Sequence, residues 1–228
     1  MTKLKKIKKG KIDFFRSNIL EWFKIKGRYF PWRSRSATSY EKIISEVLLQ
    51  RTKAETVARF YSRIIKKYPN WKKLGAATIE ELEVDLNPLG LYKQRAQRVF
   101  QLAGEMKKRN GRLPKNYEEI KTIPMFGQYI TNAVMLLVYE KPYPLLDVNM
   151  SRVLERFFGP RDMSDIRYDP YLQDLAYKII DFPEPRVINW AILDFAAAVC
   201  KARNPACDDC FLHGKCKFYK ENKKTKCS

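Results

Sequence analysis

The chain is 228 residues long and 45% hydrophobic, with 45 Lys and Arg against 25 Asp and Glu for a formal charge of +20. That hydrophobic share excludes a disordered tail and suffices for one sizeable core or two small ones, while the positive excess calls for a polyanionic partner, nucleic acid first, because neutralising phosphates releases counterions. The longest apolar run, AVMLLVY at 133–139, is far too short for a bilayer, and MTKLKKIKKGK lacks the apolar stretch and cleavage site of a secretory signal, so the expectation is no membrane partner and a cytoplasmic (nucleoid-associated) or nuclear location.

The predicted elements are all helical, since no sustained apolar/polar alternation marks a strand. A first helix is predicted over 12–25. The next opens at Thr38-Ser-Tyr-Glu41, a capping-box pattern, and continues with Tyr40, Ile43, Ile44, Val47 and Leu48 at helical spacing, which puts Glu46 at the edge of the apolar stripe. Further helices are predicted at 54–67, 78–85, 92–109, 116–121, 128–140, 148–158, 170–180 and 187–199. Gly and Pro punctuate them at Pro69, Gly90, Gly111, Pro124, Gly127 and Pro142. The helix at 148–158 carries the stripe Met150, Val153, Leu154, Phe157 and Phe158, and Asp147 stands where its N-cap belongs. Lys3, Lys5, Lys6, Lys8, Lys9 and Lys11 at one end, and Lys220, Lys223, Lys224 and Lys226 at the other, are solvated charge runs suited to non-specific phosphate binding.

Near the end stands CKARNPACDDCFLHGKC, with Cys200, Cys207, Cys210 and Cys216 in the spacing C-x6-C-x2-C-x5-C. In a reducing compartment clustered cysteines hold metal more often than they form disulfides, and both zinc and iron–sulfur sites use a C-x2-C pair. Spacing alone leaves the two open. His213 inside the loop reads as an exposed side chain, because four thiolates already complete a site, and Cys227 as a free tail thiol.

This loop, at the end of a basic helical chain, resembles the 4Fe-4S loop of the endonuclease III superfamily of helix-hairpin-helix DNA glycosylases. The resemblance implies a structural cluster that orders a basic loop against the DNA backbone, with Lys201, Arg203, Lys215 and Lys217 facing phosphates. Residues 122–159, TIPMFGQYITNAVMLLVYEKPYPLLDVNMSRVLERFFG, resemble that family's helix–hairpin–helix and aspartate motif. The hairpin would grip a phosphate through backbone N–H groups around Gly127. The family's Leu-Pro-Gly-Val-Gly reads here Ile123-Pro124-Met125-Phe126-Gly127, so Met125 replaces a glycine. By the same resemblance Asp147 stabilises the oxocarbenium charge of a breaking glycosidic bond or the attacking water. Glu46, in SEVLLQRT, matches the segment where MutY-type adenine glycosylases carry a catalytic glutamate and would donate a proton or organise water. Tyr129 occupies the place where strand-nicking relatives carry a Schiff-base lysine, and its Gly-x-Tyr arrangement looks like the Mig-type thymine glycosylases. Gln50 or Arg51 in SEVLLQRT, and Leu91 in LGLYKQRA, match wedges that fill the hole left by a flipped base; read without the resemblance, they are a polar helix end and a core leucine. Trp32, in RYFPWR, reads as a core anchor.

The resemblance implies a six-helix module at 40–141 and a second domain from 1–39 plus 142–228 holding the 4Fe-4S loop, with DNA in the cleft between them. The expected activity is that of a monomeric, monofunctional mismatch glycosylase removing thymine or uracil opposite guanine from double-stranded DNA. Adenine removal from A·G or A·8-oxoguanine is the alternative, weakened by the chain ending soon after the cluster, where MutY-type enzymes add a domain. A non-catalytic, zinc-bearing nucleic-acid binder is the alternative of another class.

Overall fold

The computed structural model describes residues 7–226. Lys3, Lys5, Lys6 and Cys227, with the side chains of Lys223, Lys224 and Lys226, lie outside the described residues. Among the described residues there is no strand, and the chain forms twelve α-helices. They are α1 (Lys9–Lys26), α2 (Ser39–Leu49), α3 (Ala54–Lys67), α4 (Trp71–Leu74), α5 (Ile79–Leu86), α6 (Tyr92–Lys108), α7 (Tyr117–Lys121), α8 (Gln128–Leu137), α9 (Val148–Phe158), α10 (Pro170–Ile180), α11 (Pro185–Ala198) and α12 (Lys217–Lys226). The single-turn α4, the terminal α12 and three short 3-10 turns were not anticipated from periodicity. No helix among the described residues is long and apolar enough to cross a membrane.

Helix starts follow local chemistry. Thr38 Oγ1 accepts from Glu41 N at 3.2 Å while Thr38 N donates to Glu41 Oε2 at 2.7 Å, so each of two orphan donors at the head of α2 finds an acceptor. Thr78 and Glu81 repeat the device for α5. Asp169 caps α10, whose first residue is Pro170, a position where the missing N–H costs nothing.

The chain forms two compact units, Met1–Arg28 with Glu140–Ser228 and Tyr29–Tyr139. The boundaries read from sequence were 39/40 and 141/142. Residues 29–39 group with the second unit because Trp32 is buried there, stacked on Phe30 at 4.8 Å and tilted against Tyr61 at 5.3 Å. In that unit α2 packs on α8 and α5 on α6. In the first unit α9, α10 and α11 surround Phe15 and Ile19 of α1, with Met150, Leu154 and Phe157 in the same core. Each such fully buried apolar side chain contributes about 1.5–3 kcal/mol. The Arg28 guanidinium pairs with Asp194 Oδ1 at 2.7 Å and its N–H reaches Oδ2 at 2.8 Å, which fixes the end of α1 against α11.

Candidate active site and iron–sulfur loop

In the Tyr29–Tyr139 unit, Glu46 sits on α2 with 5% exposure. A charge at the margin of the apolar stripe was expected; the structure corrects this, because α8 packs on α2 and covers that flank as well. A carboxyl group so placed is costly unless hydrogen-bonded, and Tyr129, in the first turn of α8, donates its hydroxyl to Glu46 Oε2 at 3.0 Å. Two residues 83 positions apart in the chain are thereby brought together.

The same helix begins at the hairpin. Met125 has φ of 71°, in the left-handed region that glycine favours, so the backbone path expected of a glycine is kept by a methionine. Phe126 N donates to Ile123 O at 3.0 Å and closes the turn. Gly127 is the N-cap residue of α8 at φ −65°, a conformation open to any residue, and a Cβ there would meet nothing within 4 Å. Nothing inside the protein therefore requires glycine at this exposed position. Gln50 ends α2, half-buried, and Arg51 follows, exposed, at φ 59°. Leu91 is 52% exposed at φ 50°, so it is not a core leucine.

In the other unit, Asp147 caps α9, accepting from Asn149 N at 2.9 Å and Met150 N at 2.8 Å on Oδ1 and from Asn149 Nδ2 at 2.6 Å on Oδ2. Burial pushes its carboxyl pKa up, against the pull of those donors and of the Arg152 charge. Arg152 was missed in the sequence. Its Nη1 donates to Asn149 Oδ1 at 3.1 Å and its Nε to the Cys200 carbonyl at 3.0 Å, linking the Asp147 cap to the first cysteine of the loop. Arg156, one turn further along α9, was also missed: it donates to Lys201 O at 2.7 Å and approaches Cys200 Sγ at 3.5 Å. Their i, i+4 spacing on one helix face was the available signal.

Cys200, Cys207, Cys210 and Cys216 are half-buried and line one small cavity of about 30 Å³, partly open to solvent, with Arg156 and Phe157 in its wall. Burial pushes the Cys210 thiol up to about 11 and raises Cys207 and Cys216 as well, so these groups need a bound cationic centre to exist as thiolates. Among the described residues no three His, Cys, Asp or Glu side chains converge so as to hold a single metal ion. Four thiol side chains lining one cavity are a donor set that both zinc and an iron–sulfur cluster accept. His213 is exposed, its Nδ1 2.6 Å from Cys210 O. Lys201, Arg203, Lys215 and Lys217 are all exposed; the Lys215 ammonium also lies 3.9 Å over the Phe14 ring, and Lys217 pairs with Glu221 at 3.8 Å.

Residues 44–169 match the family model described as HhH-GPD superfamily base excision DNA repair protein, and residues 200–216 match the iron-sulfur binding domain of endonuclease III. A thymine-DNA glycosylase from Aeropyrum pernix is 35% identical over 216 residues, covering 92% of this chain and 96% of its own. An adenine DNA glycosylase from Buchnera aphidicola subsp. Baizongia pistaciae is 31% identical over 92% of this chain and 59% of its own. A solved structure of a thermostable thymine-DNA glycosylase superposes with a TM-score of 0.85 at 31% identity, covering 93% of this chain and 98% of that one. The cofactor is accordingly a 4Fe-4S cluster, which when bound would supply the positive centre that the buried thiols lack.

Proposed function

The chain belongs to the HhH-GPD superfamily of base excision DNA repair proteins, and from that premise we propose that it is a DNA glycosylase that removes thymine or uracil opposite guanine without cutting the strand. The observation that carries this reading is Tyr129: a phenol within 3.0 Å of Glu46 stands where an amine nucleophile would be needed for a Schiff base, and a phenol cannot form one. The relatives named for thymine support the choice of base.

In the proposed reaction the target nucleotide leaves the stack, and its N-glycosidic bond breaks with the electron pair going to the base nitrogen. Positive charge develops on the sugar. The Asp147 carboxylate, held by its three donors, stabilises that charge and orients the water that bonds to C1′. Glu46 manages the proton that the base nitrogen or its carbonyl must gain, and Tyr129 fixes the carboxyl rotamer while contacting the base. Free base and an abasic site result. The hairpin backbone before α8 holds a phosphate, and the absent Cβ at Gly127 lets it approach closely. Gln50, Arg51 and Leu91 fill the vacated space; Lys201 and Arg203 add backbone contacts.

Adenine removal is the second reading, favoured by SEVLLQRT and by the Buchnera relative. A panel of duplexes containing G·T, G·U, A·G and A·8-oxoguanine, incubated and then treated with alkali, decides between them. Cleavage confined to the T and U strands is expected; dominant cleavage at A reverses the assignment.

A further inference from the structure

The turn that follows α2 and the turn that leads into α6 are held by one side chain. Arg95, in the first turn of α6, is the one Lys or Arg buried among the described residues, at 6% exposure. A guanidinium carries five N–H donors, and this one makes five contacts. Nε reaches Gly90 O at 3.4 Å, Nη1 reaches Val47 O at 3.3 Å and Leu48 O at 2.8 Å, and Nη2 reaches Gln50 O at 3.1 Å and Thr52 Oγ1 at 2.8 Å. Thr52 Oγ1 in turn donates to Leu89 O at 3.1 Å, so the two turns are also joined through the hydroxyl.

None of these acceptors is a carboxylate, and burial lowers the Arg95 pKa with no acidic neighbour opposing it. A buried cation without a counter-charge is an expensive way to gain stability, and well-packed apolar residues usually serve better. What a planar fork does offer is fixed geometry across several carbonyls at once. The carbonyls of Val47, Leu48 and Gln50 belong to the end of α2, where partners are otherwise missing. The turns so joined carry Arg51 at φ 59° and Leu91 at φ 50°, both exposed and both in a region that non-glycine residues hold only when the surroundings impose it.

We propose that Arg95 is a positioning residue for base extrusion: it sets the separation and aim of the Gln50–Arg51 turn and the Leu91 turn before DNA arrives, so that both enter the duplex together. This rests on the reading of those residues as wedges. Turns ordered in advance lose little freedom on insertion, whereas loose ones would oppose extrusion while leaving phosphate contacts untouched.

The test uses holoprotein and a duplex with 2-aminopurine beside a G·T mismatch, whose fluorescence reports unstacking. Arg95→Lys, Thr52→Val and Leu91→Ala are compared with the parent for extrusion signal, single-turnover base release, Kd for a fully paired duplex, and Tm. Lysine keeps the charge but gathers its donors at one point and cannot span both turns. Arg95→Lys is expected to lose about tenfold in extrusion and in single-turnover rate with paired-duplex Kd within about twofold, and Thr52→Val to lose less in the same direction. Leu91→Ala reports on the wedges themselves. If it extrudes the base as the parent does, the wedge reading and this proposal fall together. If Leu91→Ala loses extrusion while Arg95→Lys and Thr52→Val retain it, Arg95 serves stability alone and the proposal is overturned, whatever happens to Tm. Should Arg95→Lys fail to fold, Thr52→Val decides.

Discussion

Met125 offers a test in which the backbone term can be separated from packing. Met125→Gly and Met125→Ala both delete the same half-buried thioether, so the lost packing cancels when the two variants are compared with each other. What remains is the φ of 71°. A side chain in the left-handed region costs about 1–2 kcal/mol, and glycine avoids this. Glycine is in turn disfavoured by about 0.5–1 kcal/mol through its greater freedom in the unfolded chain. The balance favours Met125→Gly over Met125→Ala by about 0–1.5 kcal/mol, which for a chain of this size is a Tm difference of up to roughly 6 °C. Thermal unfolding of the two holoproteins, followed by circular dichroism, measures it. A higher Tm for alanine would refute the reasoning, since it would mean that the hairpin does not hold a left-handed turn at this residue.

Asp147→Asn should keep the cap, since Asn caps as well as Asp, while turnover falls by about 10²-fold or more in single-turnover assays. The folded carboxyl pKa lies above the ordinary 3.8, so ionisation opposes folding; that penalty is absent below 3.8 and grows as pH rises through the raised value. Asp147→Asn should therefore be more stable than the parent near neutral pH, with the margin vanishing in acid, as a Tm series against pH would show. Tyr129→Phe removes the hydroxyl donor to Glu46 Oε2 and should lower the single-turnover rate by about tenfold with paired-duplex Kd unchanged. Gly127→Ala should fold with stability within about 0.5 kcal/mol of the parent, because its Cβ meets nothing in the protein. It should weaken matched and mismatched duplexes alike in a salt titration, because the methyl group stands where a phosphate would approach.

The helices at 54–67, 148–158 and 170–180 were legible to the residue, because each has a continuous apolar stripe and a polar or proline start. A single turn such as α4 is too short to show a period. Asp147 was readable as a cap from its place before α9, and Met125 as a departure from glycine, although only coordinates reveal that the backbone keeps the left-handed turn. The burial of Glu46 was not readable, because the surface covering it belongs to α8, and Tyr129 lies 83 positions away. Arg95 was hidden for a similar reason. In YKQRAQR it looks like one more solvated charge, and its acceptors are backbone carbonyls and a hydroxyl, which carry little or no sequence signature. Periodicity reports which face of a helix is apolar; it does not report which neighbour arrives to cover the flank.

The most direct test of the whole account is a stoichiometric incubation of the holoprotein with a G·T duplex, followed by mass spectrometry of the small molecules and electrophoresis of the strands before and after alkali, with borohydride present in a parallel sample. Free thymine, a strand that stays whole until alkali is added, and no borohydride-trapped protein–DNA adduct are expected. Strand scission before alkali, a trapped adduct, or no thymine release would contradict hydrolytic base removal assisted by Asp147 and Glu46.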